Sequence, residues 1–159
     1  MDESTRASAG QVLQEVLERQ AFLFVDPPDG SETPAPGLLA TSLRFAGASA
    51  GGLSLAAPME LAREIAAGIL GCEPDDPMAE ERASDACKEI LNIACGQALT
   101  TWFGTAPVFD LGIPESRMLS PEEAADWTAA PEVLAFSVEG RPLFMRIDLA
   151  QPPGGGTQA

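Results

Sequence analysis

Apolar residues recur at helical spacing in three long stretches of this chain and at strand spacing in five shorter ones. Val12, Leu13, Val16 and Leu17 form one side of a first helix, from about Gly10 to Gln20, which runs into the apolar segment Ala21–Val25. Asp26–Gly37 holds four prolines and reads as a poorly ordered loop. Leu38–Phe45 and Gly52–Ala56, separated by small and turn-forming residues, predict two paired strands. Pro58 suits the first turn of a second helix, in which Leu61, Ile65 and Ile69 repeat every four residues until Gly71 stops it. Asp76-Pro77 opens a third helix, which the pattern extends to about Phe103, roughly 40 Å.

After Gly104 the character changes. Val108–Ile113 alternates as a strand and is closed by Pro114. Ser120-Pro-Glu-Glu123 is a capping box with proline at the first helical position, so a short helix should follow to about Ala129. Val133–Val138 and Pro142–Leu149 then predict a hairpin around Glu139-Gly140-Arg141. Strands flanking a long central helix predict an α+β fold, with long helices packed on an antiparallel or mixed sheet. The expected domain is 10–150, between a flexible N-terminus at 1–9 and a glycine-rich, disordered tail at 151–159.

The third helix carries a second pattern. At about 100° per residue, Asp85, Glu89, Asn92 and Gly96 fall within an arc of roughly 60°, while Ala86, Cys87, Ile90, Leu91, Ile93 and Ala94 fill the other side. The polar stripe should face outward. Asn and Gly inside a helix cost on the order of 0.5 and 1 kcal/mol relative to Ala, and an exposed face offers no packing reason to accept that cost. Two poor helix formers on one exposed stripe mark a surface made to be touched, although a Glu and an Asn three apart are also common on merely solvated helices.

Composition narrows the chemistry. With 159 residues, 45% of them apolar, the chain fits one domain with a sizeable core. A formal net charge of −15 argues against nucleic acid and anionic membranes as partners. Histidine is absent, which removes imidazole bases, imidazole metal ligands and Ser-His or Cys-His pairs. Cys87 and Cys95 lie eight residues apart on one helix, about 12 Å of rise, too far for a disulfide. With Cys72 they read as buried apolar residues in a reducing compartment rather than as a zinc site. Neither an export signal nor a run of roughly 18 apolar residues is present, so a cytoplasmic location and no membrane are expected.

The stripe Asp85-xxx-Glu89-xx-Asn92-xxx-Gly96, preceded by Pro58–Gly71 and followed by Leu111-Gly-Ile-Pro114, resembles the CheX-like branch of the CheC/CheX/FliY chemotaxis phosphatases over most of residues 10–149. The resemblance implies a phosphatase acting on the phospho-aspartate of a CheY-like receiver domain, a two-component response regulator. Glu89 and Asn92 would be catalytic, Glu89 pairing with the receiver's lysine and Asn92 positioning water. Gly96 would allow close approach, with Asp85 and Lys88 as further partner contacts. The resemblance also implies no cofactor of its own, Mg²⁺ in the receiver, and a homodimer joined through sheet edges. Two departures stand out. Gln97 occupies a position that is Asn in many relatives, and Glu15-Val-Leu-Glu18 lacks the Asn of a second site, so one site per subunit is expected. The alternatives are a noncatalytic adaptor that binds receivers and a structural signalling module.

Overall fold

In a computed structural model, residues 2–26 and 37–150 are described; of the loop expected at Asp26–Gly37 all but the two end residues, and the tail at 151–159, lie outside them. Helix α1 spans Glu3–Ala21, so the residues expected to form a flexible N-terminus make its first two turns. Its start escapes the apolar periodicity because Asp2 sets it: the carboxylate accepts from Thr5 N at 2.8 Å, which holds the Asp2 carboxyl below its ordinary value. Strand β1, Val25–Asp26, follows, then β2, Leu38–Gly47, and β3, Gly51–Pro58. Helix α2, Met59–Leu70, ends at Gly71 in the left-handed conformation, φ 74°.

The third predicted helix is two. Pro77–Glu81 form α3, capped by Asp76, and Ala83–Phe103 form α4, with the break at Arg82. No glycine or proline announces that break. The Arg63–Glu80 ion pair, 3.0 Å, ties α3 to α2, while α4 packs against both α1 and α2. The strand expected at 108–113 is shorter, β4, Phe109–Leu111, and an unexpected strand, β5, Glu115–Met118, follows Pro114; both are antiparallel to β2. Helix α5, Pro121–Ala129, carries both hydrogen bonds of the capping box, and β6, Val133–Val138, turns through Glu139 and Gly140, φ 51° and 83°, into β7, Arg141–Leu149.

The result is one antiparallel sheet of seven strands, ordered β1-β6-β7-β3-β2, with β4 and β5 sharing the outer side of β2. Helices α1, α2 and α4 cover one face over a continuous core that includes Leu13, Leu17, Leu53, Leu61, Ile65, Ile90 and Leu91. On the other face α5 covers a smaller cluster of Leu38, Ala40, Ala56, Leu119, Ala124 and Phe144. The rest of that face is polar and open.

Candidate functional site

Nine residues of α4 are buried: Ala83, Ala86, Cys87, Ile90, Leu91, Ala94, Cys95, Ala98 and Leu99. Burying Ile90 and Leu91 contributes about 1.5–3 kcal/mol each, which outweighs the roughly 1.5 kcal/mol that Asn92 and Gly96 together cost the helix. The inner face therefore fixes the helix's rotation. At its C-terminal end the rotation is pinned again, where Trp102 Nε1 donates to Ser8 Oγ of α1 at 2.9 Å. Burial pushes the Cys87 and Cys95 thiols up to about 12, so both pack as inert apolar groups beneath the stripe.

With the inner face fixed, Asp85, Glu89 and Asn92 are exposed and Gly96 is half-buried. Arg82 lies 3.6 Å from the Asp85 carboxylate, an exposed pair within one helical turn that adds little to stability. Among the described residues, Glu89 and Asn92 enter no side-chain hydrogen bond or ion pair. Both are left to water or to a visitor. Gly96 is more telling. A Cβ built there meets nothing within 4 Å, so the chain's own packing does not require glycine. Its carbonyl also accepts from Thr100 Oγ1 at 3.1 Å, which satisfies that hydroxyl within the helix.

Lys88 departs from the outward stripe. It is half-buried and, with Pro114, Glu115 and Ser116, lines a groove of about 450 Å³ between α4 and β5. Farther along the helix, Gly96, Leu99 and Thr100 line a second groove, about 240 Å³, with Phe109 and Leu111. The β4–β5 edge thus walls one side of the stripe. Sequence patterning read Leu111-Gly-Ile-Pro114 as the end of a strand; the wall depends on β5, whose Glu-Ser-Arg-Met sequence has no strand alternation to find it by.

A concavity of about 730 Å³ lies on the open face of the sheet and away from this stripe. Its Arg44 and Arg146 already face Asp148 at 3.4 Å and Glu132 at 3.3 Å, and Arg117 pairs with Glu123 at 2.7 Å. An incoming anion would have to displace those carboxylates. The α4 stripe is the better candidate: the Glu89 and Asn92 side chains are exposed, one turn apart and uncommitted among the described residues.

No curated protein matches this sequence. Solved structures do match its fold. CheX from Vibrio vulnificus, at 22% identity, superposes with a TM-score of 0.68 over 91% of this chain and 95% of that one. CheX from Desulfovibrio desulfuricans, at 16% identity, gives 0.67 over 92% and 99%. The CheX of a CheX–CheY–BeF3–Mg complex from Borrelia burgdorferi, at 20% identity, gives 0.64 over 90% and 96%. The family model described as chemotaxis phosphatase CheX matches residues 39–135, which run from the second residue of β2 to the middle of β6 and include the whole α4 stripe. This chain belongs to the CheX family of chemotaxis phosphatases.

Proposed function

We propose that this protein hydrolyses the phospho-aspartate of a CheY-like receiver domain, with Asn92 positioning the attacking water and Glu89 fixing the receiver on α4. The observation that carries this reading is the outward, unpartnered display of Glu89 and Asn92, one helical turn apart, on a helix whose rotation is locked by its core. An acyl phosphate is intrinsically labile, so a helper need only hold water in line with the scissile bond. Water attacks phosphorus, the bond to the aspartyl oxygen breaks, and inorganic phosphate leaves with the carboxylate restored. The Asn92 carboxamide can accept from that water and donate to it, which requires no base and suits a chain without histidine.

Glu89 supplies a charge-assisted contact to the lysine of the receiver's phosphorylation site, and so aims Asn92. Asp85 and Lys88 flank that contact, and Gly96 leaves room for the partner's backbone. The chain needs no cofactor of its own, because the divalent cation belongs to the receiver. Receivers work in the cytoplasm, which this reading assigns as the compartment; no helix among the described residues is long and apolar enough to cross a membrane. The reading includes a homodimer joined at one of the two sheet edges, β1 or the β4–β5 line, which light scattering tests directly.

The deciding assay follows decay of phosphorylated receiver domains, each with its own Mg²⁺, on adding wild-type protein or the Asn92→Ala variant. Loss of one positioned carboxamide should slow catalysed decay by on the order of 10²-fold while binding persists. Undiminished activity in the variant refutes the role of Asn92. Binding without any acceleration by the wild type replaces this reading with the adaptor.

A further inference from the structure

We infer that Ile113, carried on a bulge of the edge strand beside Asn92, is a docking residue whose contact with an apolar patch of the receiver sets where that domain lands on α4. The inference rests on the function proposed above. It starts from register. Phe45 pairs with Leu111 and Ser42 with Glu115, so the three residues Gly112, Ile113 and Pro114 stand opposite only Arg44 and Leu43. One residue is extra, which defines a bulge. Gly112 N still donates to Arg44 O at 2.7 Å, whereas Pro114 has no N–H to give. The surplus is therefore taken up around Ile113, which is left 88% exposed.

The bulge stands level with the proposed catalytic residue. Lys88 shares a groove with Pro114–Ser116, and Gly96 shares one with Phe109 and Leu111, so the edge strand runs antiparallel alongside α4. From Lys88 to Gly96 the helix rises about 12 Å, close to the roughly 10 Å that three strand steps cover between Pro114 and Leu111. Asn92 lies midway on the helix, and Gly112–Ile113 midway on the strand. Rotation agrees: Asn92 lies about 40° from the edge-facing Lys88, whereas Glu89 lies about 100° away. Of the two catalytic residues, Asn92 is the nearer to the bulge.

A single exposed isoleucine is ordinary, but this one is not single. Val108, Leu111 and Met118 on the same edge are 80%, 37% and 48% exposed, while Phe109 alone turns inward to meet Phe45 and Phe103 at 5.9 and 5.3 Å between ring centroids. Leu111 also lines the groove beside Gly96, so this edge brings exposed apolar side chains alongside the polar stripe. A receiver seated over Glu89 and Asn92 covers that edge, and its apolar contact there supplies affinity while Asn92 supplies rate.

The test compares Ile113→Asp, Ile113→Val and Asn92→Ala in receiver dephosphorylation, in binding of a beryllofluoride-activated receiver, and in mass by light scattering. Ile113→Asp should raise KM on the order of tenfold and weaken binding in parallel, with kcat within about twofold, and Ile113→Val should restore both. An unchanged KM in Ile113→Asp, with kcat lost in Asn92→Ala, overturns the docking role and leaves the proposed function standing. Undiminished kcat in Asn92→Ala overturns the proposed role of Asn92 and, with it, this placement of the receiver. A fall in mass for Ile113→Asp assigns the bulge to self-association and overturns the inference.

Discussion

Replacing Gly96 by alanine should make the protein more stable and less active. Glycine in a helix interior costs about 1 kcal/mol relative to alanine, and a Cβ at this position meets nothing within 4 Å, so the gain is not offset by a clash. For a chain of 159 residues that is worth an increase in Tm of about 2–4 °C. The same methyl group projects from the stripe toward the proposed partner. Where a receiver's backbone packs at van der Waals distance, one added carbon costs about 1–3 kcal/mol, a fivefold to more than hundredfold loss in kcat/KM. Differential scanning calorimetry and receiver-phosphate decay on the same preparation measure both sides. A higher Tm with undiminished decay would refute the idea that this glycine serves the partner. An unchanged or lower Tm would refute the open-space argument.

The same substitution one helix away should have the opposite sign. Gly68 lies against the backbone of Ala21, 2.9 Å from the Ala21 Cα for a built Cβ, and collides with its carbonyl, so Gly68→Ala should lower the Tm while leaving decay per folded molecule unchanged. The cysteines test the core beneath the stripe. With thiols held near 12, Cys87 and Cys95 are about one part in 10⁴ thiolate at pH 8, so an aromatic disulfide reagent should titrate half-buried Cys72 promptly and the other two only after denaturation. Three fast thiols in the native protein would contradict the packing of α4.

What sequence patterning could see follows from what each element depends on. Helices α2 and α5 were legible because local chemistry decides them: a glycine that adopts positive φ ends one, and a reciprocal Ser120–Glu123 pair starts the other. The β6–β7 hairpin was legible for the same reason, through Glu139-Gly140. Strand β1, two residues long, and β5, polar in its first three residues, exist only because β6 and β2 offer them a partner. No local signal encodes that. The break at Arg82 is likewise a tertiary event, made where α3 is tied to α2. The stripe on α4 was fully readable, since its outward direction is the complement of an apolar pattern; the wall beside it was not, because its second strand is defined by pairing.

Helix α4 is pressed between α1, α2 and the sheet along 21 residues, and it carries the stripe without hinge, lid or mobile loop among the described residues. Packing on three sides holds such a platform in one orientation. A surface that keeps one orientation selects among the forms of a partner by fit alone, through its differential affinity for them and without a shift in its own population. A preference for a phosphorylated form then rests on what the partner presents, its phosphoryl group or a rearranged surface that fits this template. The discriminating free energy is stored on the other side of the interface, and changes within this protein's core should alter its lifetime more than its selectivity.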